Sequence, residues 1–376
     1  MVRVTEDTFG TVRDPFTNNL VTIRRFTIDN DNNISVQIIT YGATITSLLL
    51  PDSEGKVDDI ALGFDDVEGY QEKDLSKNPY ICCTVGRVCS RIGNASYVYK
   101  GQRVNVSKNF LGKHYLHGGN LGFGQCIWDV LCIRPNGVVL QFISPDGHEG
   151  FPGEVTANVT FTLDDENQFR QCYEATTTKP TPVNMTNHGY YNLAGHATGK
   201  KGMFEHIVQI KAQTFTDKDE DTVPTGEILP LRSTDIDLRR PVNIGVGIKR
   251  LYPKGYDDNY VLALENNTIT LQAKITHPPT GRFLEVSSNQ PGMHFYTAHN
   301  MPDIENGERP LIKGKDGVNY EKYSSFCMET QQYPDAVNHS NFPSIILQPG
   351  EVYRHVCIFK FSICSIKDET IKPDED

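Results

Sequence analysis

The amino-acid sequence predicts an all-β protein, a large antiparallel β-sandwich. Three observations carry this. Period-two alternation of apolar residues recurs along the chain, turn-forming pairs interrupt it often, and no long window repeats its apolar residues every 3.6 positions. In E-V-T-A-N-V-T-F-T-L (154–163), Val155, Ala157, Val159, Phe161 and Leu163 fall on one face and polar residues on the other. Segment 206–212 follows the same rule. So does T-I-T-L-Q-A-K-I-T (268–276), with Ile269, Leu271, Ala273 and Ile275 on one side, and so does 355–363. Half-buried antiparallel strands read this way, because successive side chains point to opposite faces. The turns sit at Pro51-Asp52, Asp146-Gly147, Pro152-Gly153, Pro291-Gly292 and Pro349-Gly350.

No repeat, low-complexity run or Ser/Gly-rich linker divides the 376 residues. One domain is therefore expected over 1–376, with a core of about 10–365 and a charged tail, 366–376. The net charge of −11 argues against nucleic acid or an anionic membrane as partner, since both reward a surplus of Lys and Arg. The N-terminus lacks the apolar run of a secretory signal, and no stretch is long and apolar enough to span a bilayer. The nine cysteines form no C-x-x-C pair, so reduced buried thiols and a cytoplasmic location are expected, with no metal site.

Polar residues cluster in five places. Arg87 and Arg91 interrupt the apolar run V-G-R-V-C-S-R-I-G (85–93). His117 precedes two glycines, which suit close approach of backbone to a ligand. His188 lies in N-M-T-N-H-G-Y-Y-N (184–192), followed by Tyr190 and Tyr191. G-Y-D-D-N-Y (255–260) reads alone as an Asx-rich turn. Glu329 follows Phe326, Cys327 and Met328, an apolar flank on which a carboxylate is costly unless paired or functional. Each cluster alone has a bland structural reading. Together they supply a histidine, a carboxylate and many hydrogen-bonding groups, a mixture suited to a neutral ligand with many hydroxyls. Tyr190 and Tyr191 are candidate sugar-facing surfaces, and Trp128 reads as core. No phosphate loop, zincin helix or nucleophile elbow is present.

Nine segments, taken in order, resemble the aldose 1-epimerase (galactose mutarotase) family. They are Y-G-A-T-I-T-S-L (41–48), G-R-V-x-x-R-I (86–92), L-H-G-G (116–119), S-P-D-G-x-E-G-x-P-G (144–153) and T-P-V-N-x-T-N-H-x-Y-x-N-L-A-G (181–195), then G-Y-D-x-N-Y (255–260), N-Q-P-G (289–292), E-T-Q-x-x-P-D-A (329–336) and P-G-E-x-Y (349–353). The resemblance implies a β-supersandwich with a sugar cleft on one sheet and interconversion of the α and β anomers of free aldohexoses such as galactose and glucose. It implies no cofactor and a monomer or homodimer. It casts Glu329 as general base, His188 as general acid and His117 as a second histidine at the ring. Arg91, Asp257 and Gln290 become hydroxyl-binding residues and Tyr190 a pocket wall. Ser90 stands where many relatives carry Asn, which bears on substrate preference.

Anomer exchange opens the ring by taking a proton from O1 and giving one to the ring oxygen O5. Mutual attraction is expected to lower the carboxylate from about 4.3 and raise the imidazole from about 6.5. Three rivals remain at this level. A hexose-6-phosphate epimerase would place Arg87 at the phosphate, a glycosidase would pair Glu329 with Asp257, and a non-catalytic sugar sensor would have no use for a matched acid and base.

Overall fold

Alternation becomes sheet where it is strongest. In the strand Val155–Leu163 every odd-numbered residue is fully buried and every even-numbered one lies half-exposed. The computed structural model describes residues 1–263 and 268–363; the charged segment 366–376 lies outside them. Three antiparallel sheets dominate. The first runs in chain order through Arg3–Arg13, Leu20–Asp29, Ser35–Ile39, Thr44–Pro51 and Val57–Asp59. The second has nine strands. Asp129–Arg134, Gly137–Ser144, Val155–Leu163 and Gln168–Thr177 pair in sequence, followed in space by Tyr353–Ile363, Arg282–Ser288, Thr270–His277, Ile207–Ile210 and Val242–Asn243. The third places Pro224–Pro230, Ala212–Lys218, Asp257–Leu262, Gly292–Tyr296 and Cys327–Gln331 side by side. One apolar core is shared by all three, joining Phe26 and Ile38 of the first sheet, Val159 and Leu284 of the second, and Met293 and Phe295 of the third. Trp128 belongs to it, its indole N–H donating to the Phe123 carbonyl at 3.1 Å.

Two sequence expectations need correction. Segment 206–212 is not one strand: Ile207–Ile210 belongs to the nine-stranded sheet, and after Lys211 the chain enters the third sheet at Ala212. In 268–276 a bulge between Leu271 and Ala273 breaks the alternation. It turns Gln272 inward, where its amide donates to the carbonyl of Gln290 at 2.7 Å, and leaves Ile269 on the surface. The three α-helices among the described residues are short, Val67–Gln71, Gly199–Met203 and Ile244–Leu251. None of the described helices is long and apolar enough to cross a membrane.

Buried charge ties the sheets together. The Arg282 guanidinium, buried in the second sheet, reaches the first. It donates to Asp58 Oδ2 at 2.8 Å and to the Pro51 and Lys56 carbonyls. It also meets the Leu193 carbonyl at 2.9 Å. None of the eight cysteines among the described residues forms a disulfide. Two fully buried histidines are locked as neutral rings. His206 Nε2 accepts from the Leu193 N–H at 3.0 Å, and His355 bridges Thr330 and the Met185 carbonyl. Burial pushes both down to about 3. An unfolded histidine takes up its proton near 6.5, so below that pH the unfolded chain binds more protons and stability falls as pH falls. The expected loss is on the order of 1 kcal/mol per histidine per pH unit. A calorimetric Tm that stays level from pH 7 to pH 5 would contradict this.

Candidate active site

The third sheet builds the floor of a cavity of about 1130 Å³. Three adjacent strands, Asp257–Leu262, Gly292–Tyr296 and the edge strand Cys327–Gln331, pair in rungs, and directly opposed residues share a face. Asp257, Tyr296 and Cys327 form one rung, Asn259, His294 and Glu329 the next, and Val261, Gly292 and Gln331 the third. The alternate positions, including Met293, Phe295 and Met328, enter the core. This explains how Glu329 emerges from an apolar flank: Met328 points into the core and Glu329 points the other way. Gly292 leaves room in the last rung, where an added Cβ would stand 2.8 Å from Asn259 Oδ1 and 3.0 Å from the Gln331 carbonyl.

The opposite wall comes from loops held by two-residue strands. Thr186–Asn187 pairs with Thr84–Val85, and His188 follows, its N–H donating to the Cys83 carbonyl at 2.9 Å. Arg91–Ile92 pairs with Tyr115–Leu116, and His117 follows in left-handed backbone at φ 44°. Ser90 and His117 hold each other. The His117 N–H donates to the Ser90 carbonyl at 3.0 Å, and the Ser90 N–H donates to His117 Nδ1 at 3.3 Å. Nδ1 is thereby an acceptor, so a neutral His117 carries its proton on Nε2. The glycines after His117 make room for other parts of the protein, one for backbone and one for a side chain. A Cβ on Gly118 would stand 2.4 Å from the Gly86 carbonyl oxygen, and one on Gly119 would strike the Glu149 carboxylate.

His117, His188 and Glu329 converge, with one side-chain donor atom from each lying within 4.8 Å of the others. His188 Nε2 stands 3.7 Å from Glu329 Oε1. The two imidazoles meet edge to face at 5.0 Å between ring centres, and Tyr190 stacks on His188 at 4.8 Å. The cluster has the composition of a metal site but not its protonation, because the cavity-side nitrogen of His117 bears a proton instead of a lone pair.

Burial, more than mutual attraction, sets the charges. It lifts Glu329 to about 8, with Asp257 adding repulsion and Arg91 opposing. It drops His188 to about 3, with His294 acting in the same direction. His117 is likewise pushed well down, by burial and then by His188. The expected lowered carboxylate and raised imidazole are therefore corrected: near neutrality the pair holds one proton, resting on Glu329. Asp257 behaves oppositely. Burial acts to raise it, but the His294 N–H bonded to its Oδ1 at 2.7 Å, with Arg91 and Lys218, holds it well below the usual carboxylate range.

Six further residues from the sequence analysis fare differently. Ser90, Arg91, Tyr190 and Asp257 line the cavity with the three convergent groups. The Arg91 guanidinium lies over the Phe110 ring at 5.4 Å, while Ser90 Oγ and Arg91 Nε have no hydrogen-bond partner among the described residues. The Tyr190 hydroxyl is committed to the Pro79 carbonyl at 2.9 Å, so its role as a wall is to cover His188. Gln290 does not line the cavity. It sits in the turn before Gly292–Tyr296, where its side chain meets Asn289, Arg354 and Gln332, and the segment reaches the cavity four residues later at His294. Tyr191 is also displaced from a sugar-facing role, buried in the main core. Sequence reasoning missed His294, Tyr80, Tyr296 and His299, all cavity residues. G-M-H-F-Y (292–296) carries the signal for two of them, since Met293 and Phe295 alternate with His294 and Tyr296.

The comparisons with known proteins identify the family. A sequence profile of the aldose 1-epimerase family matches residues 24–360. The chain belongs to the aldose 1-epimerase family. Within it, the chain is 40% identical over 363 residues to the galactose mutarotase of Bos taurus, covering 96% of this chain and all of that one. The match to the Homo sapiens galactose mutarotase is 40% over 342 residues, 91% of this chain and 95% of that one. Among solved structures, an aldose epimerase homologue from C. elegans superposes with a TM-score of 0.80 at 28% identity, over 90% of this chain and 98% of that one. A galactose 1-epimerase from Lactobacillus acidophilus, at 21% identity, shares the fold with a TM-score of 0.78 over 97% and 100% of the two chains. This aldose 1-epimerase accordingly interconverts the anomers of aldoses.

Proposed function

We propose that Glu329 and His188 are the acid–base pair of this aldose 1-epimerase and that galactose and glucose are its sugars. The observation that carries the assignment is their approach to 3.7 Å where the loop wall meets the sheet, with no hydrogen bond to the Glu329 carboxyl from any described residue. A carboxyl buried without a partner is expensive and is retained where chemistry uses it.

The pair holds one mobile proton. With that proton on His188, Glu329 takes the hydrogen of O1 while Nε2 gives its own to O5. The C1–O5 bond breaks, C1 becomes an aldehyde carbon, and rotation about C1–C2 presents its other face. On closure Nε2 recovers the proton from O5 and Glu329 returns one to O1. No electron is gained or lost. Arg91, Asp257 and the free Ser90 hydroxyl, with His294, stand around the ring to fix its pose, and orientation of this kind is itself a large part of the rate. Galactose is favoured as substrate by the name of the mammalian relatives.

The phosphorylated-sugar alternative loses its cation. Arg87 is buried, and its guanidinium is held by Ser144 Oγ at 2.7 Å and by the Gly153, Pro152 and Pro145 carbonyls at 3.0, 3.1 and 3.2 Å. Asp219, Glu220 and Asp221 line the cavity beside Lys218 and Lys254, and acidic side chains outnumber basic ones there, which disfavours a dianion. Polarimetry of freshly dissolved α-galactose and α-glucose should show accelerated mutarotation. Glucose 6-phosphate should show a kcat/KM lower by about tenfold or more, the effect of roughly 1.4 kcal/mol of repulsion. Equal rates on the phosphorylated and free sugars would reverse the preference.

A further inference from the structure

Cys327 and Glu329 alternate on one strand, Cys327–Gln331, and both side chains leave its cavity face. They address the same imidazole from its two nitrogens. Glu329 Oε1 is 3.7 Å from His188 Nε2, and Cys327 Sγ is 3.7 Å from His188 Nδ1. The ring's other neighbours fix its plane only. Tyr190 stacks at 4.8 Å and His117 meets it edge to face at 5.0 Å, but neither decides which nitrogen keeps a proton. Among the described residues, no other side chain bonds to Nδ1, and the only further acceptor near the ring is the carbonyl of His188 itself.

The chemistry requires a definite tautomer. Nε2 faces the carboxyl and must gain and lose the mobile proton, so Nδ1 must carry the fixed one. A histidine in this role usually donates Nδ1–H to a carbonyl or carboxylate, which steadies the imidazolium. Here the partner is a sulfur, a weak acceptor. Burial, with repulsion from Glu329, keeps this thiol protonated, so it is neutral rather than a thiolate. A neutral sulfur can fix the direction of the ring without making the imidazolium a weak acid, which suits a group that must release its proton quickly to O5.

We propose that Cys327 is a positioning residue of the acid–base pair, whose sulfur accepts the Nδ1–H of His188 and so reserves Nε2 for proton exchange with the sugar. The proposal rests on His188 being the proton-transfer histidine.

The direct test is the 15N spectrum of His188 in the full-length wild-type protein, which needs no variant to fold. A single neutral tautomer with hydrogen on Nδ1 is expected. Hydrogen resident on Nε2 would overturn the proposal whatever the kinetics. Cys327→Ala is expected to populate both tautomers and to lower kcat roughly 10-fold with KM within about twofold, the scale of losing a residue that orients a reacting group. Cys327→Ser, which restores an acceptor, should recover the single tautomer and most of the lost kcat. An alanine variant with wild-type kcat, or a serine variant no better than alanine, would refute it. His188→Asn separates the two levels. Wild-type turnover in that variant would discard the acid–base reading, while the wild-type spectrum would still report on the sulfur contact.

Discussion

Glu329→Gln is expected to lower kcat for α-galactose by about 10³-fold, within the ~10²–10⁴ that a positioned acid or base contributes, or about 4 kcal/mol of barrier. The amide keeps the size of the carboxyl and can still hydrogen-bond a hydroxyl, so KM should change little. It cannot take the proton of O1. The fold should not suffer, because Glu329 accepts no hydrogen bond from the described residues and burial already keeps it largely uncharged near neutrality. An unchanged or higher Tm beside a collapsed rate would mark the residue as catalytic. Turnover within tenfold of wild type would remove Glu329 from the mechanism.

The second large effect is in the pH profile. Two ordinary groups acting as carboxylate and imidazolium would confine activity between about 4.3 and about 6.5. Burial has moved these groups past each other, His188 to about 3 and Glu329 to about 8. The active form is the pair carrying one proton. It gains a second below about 3 and loses its only one above about 8. Measured kcat/KM should therefore be level from pH 5 to pH 7 and fall tenfold per pH unit above about 8. A decline centred near 6.5, with no further loss at higher pH, would show that the imidazole titrates as an exposed one does.

Much of this was legible before any coordinate. Strict alternation at Val155–Leu163 survived because both neighbouring strands pair with it in unbroken register. Alternation at 268–276 failed because a bulge adds one residue, which periodicity alone does not reveal. The convergence of His117, His188 and Glu329 came from a family resemblance and not from spacing, since the three lie on separate elements that only the fold brings together. Gln290 was misplaced. Its hydroxyl-binding role came from the N-Q-P-G motif of the resemblance, which does not show that its side-chain and main-chain hydrogen bonds are all made to neighbouring strands and turns. Charges were the least accessible. Opposite charges in contact suggest attraction, and only the depth of burial shows that desolvation prevails.

The ladder of rungs beneath the sugar has an evolutionary consequence. Replacing a residue at 257, 294, 296 or 331 alters the cavity while leaving the alternate, core-facing positions of the sheet untouched. Inserting or deleting a single residue inside any of these strands would exchange the two sides at once, driving Glu329 into hydrocarbon and lifting Met328 toward water. New sugar preferences in this lineage are therefore reachable by point substitution at alternate positions, while changes of length are confined to the loops around the rim.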